Sequence, residues 1–475
     1  MKKYVLALLF LLLCPLTVSA ETFSVSGDGM SLTRALECCT DGDVIELADG
    51  VYSEPQEVFP LTVRAAVTIC AKEGAAPVID APAFLEALRV ESDHVTLQGL
   101  DIRMRRTGIY AVGNDMTVED CSISLADEEW RTSSCGVWCG GICRMIVRDC
   151  RFTGCGISIA GPPLSESSAG KPVLTGLFEV GEEVDYFISH TIENCTVNHK
   201  PLFYAASKEK VVAPSDAGEV ICCGCGEVTV QNADVSDGSM GMVLAYNGHV
   251  TVKNCRADRC GVFGIYVAKC DSGILQGCMS EETNHGLDIR ASQKIDLVDC
   301  TAVDCDQGMF FSHVENGSMT DCAVKDTGQG YFMAGGQGNI LYRCRAAGCE
   351  NGFNLQKEGA VLMTGCAIED CTVCGVRLDE TPTVFSGNFL DGNWVGVMAY
   401  GNVSFELMDN VFRDSLSCGL YVRDVAYSRF CGNTFEESHM DSVQVAGTDN
   451  GSLWNRNILD KAIKSEENAD FHIIS

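Results

Sequence analysis

The chain has 475 residues, 46% of them hydrophobic, and a formal net charge of −31. A chain of this length buries a sizeable core without covalent staples, and its acidity repels nucleic acid and anionic membrane surfaces, which leaves no nucleic acid among the expected partners.

Residues 1–20, MKKYVLALLFLLLCPLTVSA, start with two lysines, continue with an apolar run from Tyr4 to Leu13 and end on small residues at Val18-Ser19-Ala20. That order predicts a secretory signal peptide, with the mature chain starting near Glu21. A lipid on Cys14 is the alternative, opposed by the bulk of Leu12 and Leu13. No later apolar run is long enough to span a bilayer, so the mature chain is expected to be exported, periplasmic or extracellular, and free of a transmembrane segment. There are 28 cysteines, and loss of Cys14 with the leader leaves an odd number, so complete internal pairing is impossible.

Residues 21–60 are expected to form an N-terminal cap and first coil. In SLTRALECC, Ser31 is placed to cap a short helix, with Leu32, Ala35, Leu36 and Cys39 at helical spacing.

From residue 61 to 475 a repeat dominates. Glycine-led runs begin at Gly241, Gly264, Gly286, Gly308, Gly330, Gly352, Gly375, Gly396 and Gly419, at intervals of 21 to 23 residues. The residues one and three after each glycine are mostly apolar (Ile265 and Val267, Leu287 and Ile289, Leu420 and Val422), the alternation of a half-buried strand. A second and a third short apolar run follow in each unit. Three short strands per unit cannot bury their inner faces alone, but stacked coils can. The fold class is therefore all-β: a single-stranded right-handed parallel β-helix with a short N-terminal capping helix. Less regular coils extend it back through Gly156, Gly136 and Gly108, giving about fifteen coils in a rod of roughly 70 Å. A segment near residues 161–190 interrupts the winding and is expected to project from it, and the residues after Asn457 are expected to plug the far end.

Aligned on the glycines, Cys255, Cys278, Cys300, Cys322, Cys344 and Cys366 share one position, which Asn388, Asn410, Asn433 and Asn457 continue; a second column holds Cys260, Cys305, Cys349 and Cys371. An inward bend suits asparagine, which stacks its amides, and cysteine is a small buried substitute with a weak S–H donor. In-register neighbours stand about 4.8 Å apart with parallel side chains, a poor geometry for disulfides, so mostly reduced thiols are expected. A metal ladder is the alternative. Cys135, Cys139 and Cys143, and Cys222, Cys223 and Cys225, fall outside these columns and are candidate soft-metal ligands for Cu(I) or Zn(II). Core positions of irregular coils are the preferred reading, given how often this chain uses cysteine as a small hydrophobe.

The stretch from Asp185 to Asp237 carries Asn194, Val197, Asn198, Lys200, Pro201 and Tyr204, followed by Ala217-Gly218-Glu219-Val220. It resembles the turn N-x-V-N-G-K-P-x-x-Y of NosD-type β-helix proteins, with His199 where that family usually has glycine. The opening SLTRALECCTDGDVIELADGVYSE is similar to that of exported carbohydrate-binding and sugar-hydrolase β-helix domains. The resemblance implies a β-helix and, by way of NosD itself, an accessory role in copper delivery to nitrous oxide reductase, with copper as the implied metal.

On the first strand of each coil the outward side chains include Tyr266, Asp288, Phe310, Phe332, Asn354, Arg377 and Tyr421 in one row and Arg290, Gln356, Asp379 and Tyr400 in the next. Aromatic rings beside amides and charges suit a sugar chain, whose rings stack while polar groups hold its hydroxyls. An ordinary strand surface has similar enrichment. The nearest approaches to catalytic groupings are His285 with Asp288 and Arg290, and Arg377 with Asp379 and Glu380, each also readable as an ion-paired surface cluster. If the protein is an enzyme, a polysaccharide lyase or glycoside hydrolase is the type indicated; an anionic substrate would call for Ca²⁺. The D-P-H motif of uronate epimerases on this fold is absent from the sequence. Three functions thus stand side by side: a polysaccharide- or envelope-glycan-binding solenoid, a copper-enzyme accessory protein, and a non-enzymatic surface or adhesive rod.

Overall fold

A computed structural model describes residues 20–27, 29–159, 165–166, 172–173, 184–401 and 403–465. The expected signal peptide, most of the interrupting segment and the last ten residues lie outside the described residues.

The helix Leu32–Cys38 closes the first coil, burying Leu32, Ala35 and Leu36, and the Ser31 side chain accepts from the Arg34 N–H. Glu57 adds a second cap, accepting from the backbone N–H groups of Leu32 at 2.9 Å and Thr33 at 2.7 Å. These bonds satisfy donors that a helix start leaves open.

The parallel β-helix is as expected, but it is wound as two stacks instead of one rod. In the first, strands from Thr22–Val25 to Thr191–Glu193 form a seven-stranded parallel sheet, beside one from Gly50–Tyr52 to Thr196–Val197 and one of five strands from Leu61–Val63 to Ile157–Ser158. The second begins at Lys200–Ala206. Its long sheet runs through Glu219–Cys223, Met240–Ala245 and Phe263–Ala268 to Ile463–Ser465, beside sheets of twelve and eight strands. The seven- and twelve-stranded sheets correspond to about nineteen coils, against the fifteen expected.

The break is a hairpin. Thr196 and Val197 pair antiparallel with Pro201 and Lys200, and the two residues between them, Asn198 and His199, have φ of 50° and 67°. Two consecutive positive φ angles make the tight turn whose twist suits a hairpin, and reversing the strand direction starts the second winding. The Asn198 amide ties both stacks: Oδ1 accepts from Gly154 N at 2.8 Å and Nδ2 donates to the Asp237 carbonyl at 2.9 Å.

In register, Leu287 pairs with Met309 and Met309 with Tyr331, so each apolar side chain lies on its counterpart one coil away. The cysteine columns are part of this architecture. The thiols of Cys300, Cys322 and Cys344 donate to the carbonyls of Leu275, Leu297 and Met319, and the amides of Asn410 and Asn433 to the equivalent carbonyls of Phe385 and Leu407. Asparagine does more, because the Asn410 Oδ1 also accepts from Asn388 N at 2.9 Å. The slot follows a bend residue held at positive φ, as at Asn254, Asp299 and Asp321. All cysteines in the described residues are unpaired thiols, and only Cys38, Cys39, Cys70, Cys143 and Cys431 are not fully buried.

Candidate functional site

The outward row of the long sheet falls into a closed part and an open part. Along Glu219–Cys223, Met240–Ala245 and Phe263–Ala268 the inward residues Cys222, Leu244 and Val267 pack in the second stack's core, while Cys223, Ala245 and Tyr266 pack in the core of the first. Tyr266 and Asp288 have no exposed surface, and Phe310 retains 5%. This corrects their expected place on an open glycan face. The faces meet where Ser239 Oγ accepts from Gly136 N and Gly156 N, and where both carboxylate oxygens of Glu219 accept from Ile157 N at 3.1 and 3.2 Å.

His285, Asp288 and Arg290 do come together, but as a buried lock. Arg290 donates twice to Asp288, from Nε at 2.6 Å and from Nη2 at 2.7 Å, and His285 Nδ1 lies 2.7 Å from the same carboxylate. The guanidinium sits over the Phe310 ring at 4.8 Å. Burial pushes the Asp288 carboxyl up, but the charge and hydrogen bonds of Arg290 outweigh it and hold it below the usual carboxylate range. With both oxygens of Asp288 engaged and all three residues covered, the expected catalytic grouping has no approach for a substrate.

From Phe332 onward the face opens. The rings of Phe310 and Phe332 stack at 4.7 Å. Asn354 Nδ2 donates to Gln329 Oε1 at 2.9 Å, and Gln356 Nε2 to Asn354 Oδ1 at 3.0 Å, a short amide row beside the rings in which Asn354 itself is buried, a correction to its expected place on the open face. Arg377 is half-buried, 3.3 Å from Asp379 through Nη2, and its guanidinium lies 5.6 Å from the centre of the Tyr400 ring. Its Nε has no partner. Tyr400 and Tyr421 lie 5.8 Å apart, next to a small outward apolar cluster of Cys374, Val395 and Cys418. At the bend where these strands start, Trp394 is 50% exposed, between Val373 and Met440. Sequence reasoning passed over Trp394 because it lies outside the strand rows; its position one residue before Val395 in the repeat was the available signal.

The cysteine groupings do not fit a metal. Cys222 and Cys225 face the core of the second stack and Cys223, between them, that of the first, so the three sulfurs point to different interiors. Burial pushes the Cys222, Cys223 and Cys139 thiols well up, against the thiolate that a metal requires. Cys135 and Cys139 are buried while Cys143 is half-exposed. Among the described residues no group of three or more His, Cys, Asp or Glu side chains is placed to hold a metal ion.

Family models match two overlapping parts of the chain: "Right handed beta helix region" over residues 180–330, and "Periplasmic copper-binding protein (NosD)" over residues 305–470. With the parallel solenoid, these matches support a NosD-type β-helix repeat protein. No curated protein matches its sequence. Among solved structures, the chain is similar to a family 28 exopolygalacturonase from Yersinia enterocolitica, with 9% identity, 96% of this chain and 79% of that chain covered, and a TM-score of 0.31. It is also similar to pectate lyase Pel9A, with 11% identity, coverage of 96% and 80%, and a TM-score of 0.20. A third is the catalytic unit of a GH87 α-1,3-glucanase from Streptomyces thermodiastaticus, with 9% identity, coverage of 96% and 69%, and a TM-score of 0.32. No helix among the described residues is long and apolar enough to cross a membrane.

Proposed function

We propose that the protein is an exported solenoid that binds a polysaccharide or cell-envelope glycan on the open part of its long sheet, across Phe332, Gln356, Arg377, Tyr400 and Tyr421. The observation that carries this reading is the half-exposed Tyr400–Tyr421 pair with the Arg377 guanidinium against it. Rings offer stacking surface to sugars, and a guanidinium offers a fork of donors to their hydroxyls. Trp394 extends the apolar part of the surface. A glycan array probed with the mature protein is the test. Retention of a glycan, weakened about tenfold by Tyr400→Ala and by Arg377→Gln with unfolding midpoints unchanged, is the expected result; failure to retain any glycan overturns the reading.

The match to the copper-binding NosD model over residues 305–470 favours a second reading, an accessory protein of a periplasmic copper enzyme. The divergent directions of Cys222, Cys223 and Cys225 argue against resident copper at that cluster, so such a role would rest on protein contacts. Titration with Cu(I) checks this form of the second reading: no tight stoichiometric complex is expected, and finding one would restore resident copper to the account.

A further inference from the structure

Where the winding breaks, strand pairing is left incomplete. Thr191–Glu193 pairs only with Ile146–Arg148, and Lys210–Val212 only with Glu227–Gln231, among the described residues. Lys200–Ala206 pairs with Glu219–Cys223 on one side, but on the other only its first residues are used, by the hairpin. In a parallel ladder alternate residues bond to one neighbour, so the ladder fixes which groups are left over. Glu227 N donates to Glu209 O and Ala213 N to Thr229 O, which turns the N–H and C=O of Lys210 and Val212 to the outer edge. Ser207 N donates to Cys223 O, which does the same for Tyr204 and Ala206. All four residues line one groove of about 650 Å³ between the stacks, whose opposite wall is the edge of Thr191–Glu193.

We propose that this groove is a docking site for an extended segment of a partner protein, which pairs as a strand with the free edges of Lys200–Ala206 and Lys210–Val212 and adds one coil ahead of the second stack. Only an extended backbone meets several evenly spaced donors and acceptors at once. Its inward residues would rest on Ala205 and Val211, the first rung of the second core, which favours small or branched apolar side chains there. Its outward residues would face Lys208 and Lys210, the latter also 2.9 Å from Glu227, with Glu193 the one acidic side chain lining the groove among the described residues. On a chain of net charge −31 that local inversion selects a segment carrying acidic residues. Lysine on an open edge also discourages pairing between like copies, so the same two side chains admit an acidic strand and refuse a second copy of this basic edge. This surface is separate from the glycan face and stands or falls independently of it.

The test uses the full mature protein and two labelled synthetic peptides, one alternating Val with Glu, the other Val with Lys. Saturable binding of the Glu peptide, with the Lys peptide at least about tenfold weaker, is expected by fluorescence anisotropy. Val212→Pro removes an outward donor but no existing ladder bond, and should weaken binding about tenfold. The double variant Lys208→Glu, Lys210→Glu should reverse the preference between the peptides, and it carries the test should Val212→Pro fail to fold. Amide exchange at Lys210 and Val212 should slow with peptide bound. Absence of saturable binding by either peptide, or binding indifferent to the charge reversal, overturns the proposal.

Discussion

Asp288 shows how a buried charge can look like chemistry in a sequence and be packing in the fold. It accepts two bonds from Arg290 and lies beside His285, with no exposed surface. Removing one partner of such a pair leaves the other charged in an apolar setting, so Asp288→Ala should lose about 3–5 kcal/mol in urea unfolding. The double variant Asp288→Leu, Arg290→Met should recover much of that loss. A catalytic pair would show the reverse pattern, with activity lost and stability kept. Glu219 carries its charge differently. Burial holds its carboxyl well above the ordinary value, and only the Ile157 N–H bonds oppose this. A raised folded-state value means that the folded protein retains this proton more strongly than the unfolded chain does. Its contribution to stability is therefore complete below the ordinary carboxyl range near 4.5 and declines as pH rises from there toward the raised value. Glu219→Gln should remove that slope when unfolding free energies are compared between acid and neutral pH. The unequal chemistry of the bend slot gives a third test at this scale. Asn410→Cys keeps a donor for the Phe385 carbonyl but takes the acceptor from Asn388 N and Nδ2, and should cost about 1–3 kcal/mol.

At the scale of the element, the coil was legible and its surroundings were less so. The glycine intervals and the two inward apolar positions defined the strands, because a stacked coil imposes the same interior on every turn. The cysteine and asparagine columns were legible for the same reason. What alternation could not show is which outward faces are covered. The signal was present in a different form: EVICC at Glu219 and GMVLA at Gly241 are apolar at both parities, as a strand buried on two sides must be, whereas GFNLQ and GVRLD farther along are not. Tyr266 belongs to the first group and Arg377 to the second, which is why one is interior and the other half-exposed. The hairpin lay hidden because Asn198-His199 lacks the glycine that marks such turns; a positive φ at histidine is uncommon. Thiol reactivity checks the covered elements. In native protein a thiol reagent should modify rapidly only Cys38, Cys39, Cys70, Cys143 and Cys431, with the rest reacting on denaturation. Burial supports this by pushing the Cys305 thiol up to about 11 and Cys270 to about 12.

At the scale of the molecule, the two stacks share strands and so do not form separable units. Ile221, Val243 and Tyr266 belong to the first core while their neighbours Cys222, Leu244 and Val267 belong to the second. A chain starting at residue 200 would expose the first set to water. It should bind a hydrophobic dye and self-associate, where an independent domain would stay monomeric. The open half of the long sheet makes no comparable demand on the first stack, which leaves the proposed glycan surface free to vary without disturbing the junction.

The bends give the solenoid one more property. Asp304, Asp326, Asp370 and Asp414 all occupy left-handed turn positions at the same point of their coils, and Asp299, Asp321 and Asp409 do so at another. Asparagine and aspartate tolerate that conformation better than most residues, so part of the acidity has a geometric origin. Successive coils lie about 4.8 Å apart, well inside the Debye length of about 8 Å at physiological ionic strength. Asp304 and Asp326, and Asp299 and Asp321, therefore repel across adjacent coils, whereas Gly348, Gly392, Gly365 and Gly387 take the same turn positions elsewhere and interrupt both rows, and Arg343 pairs with Asp321. With these local repulsions added to a net charge of −31, the melting temperature should climb as sodium chloride is added at neutral pH, and the solenoid should be at its least stable in fresh water.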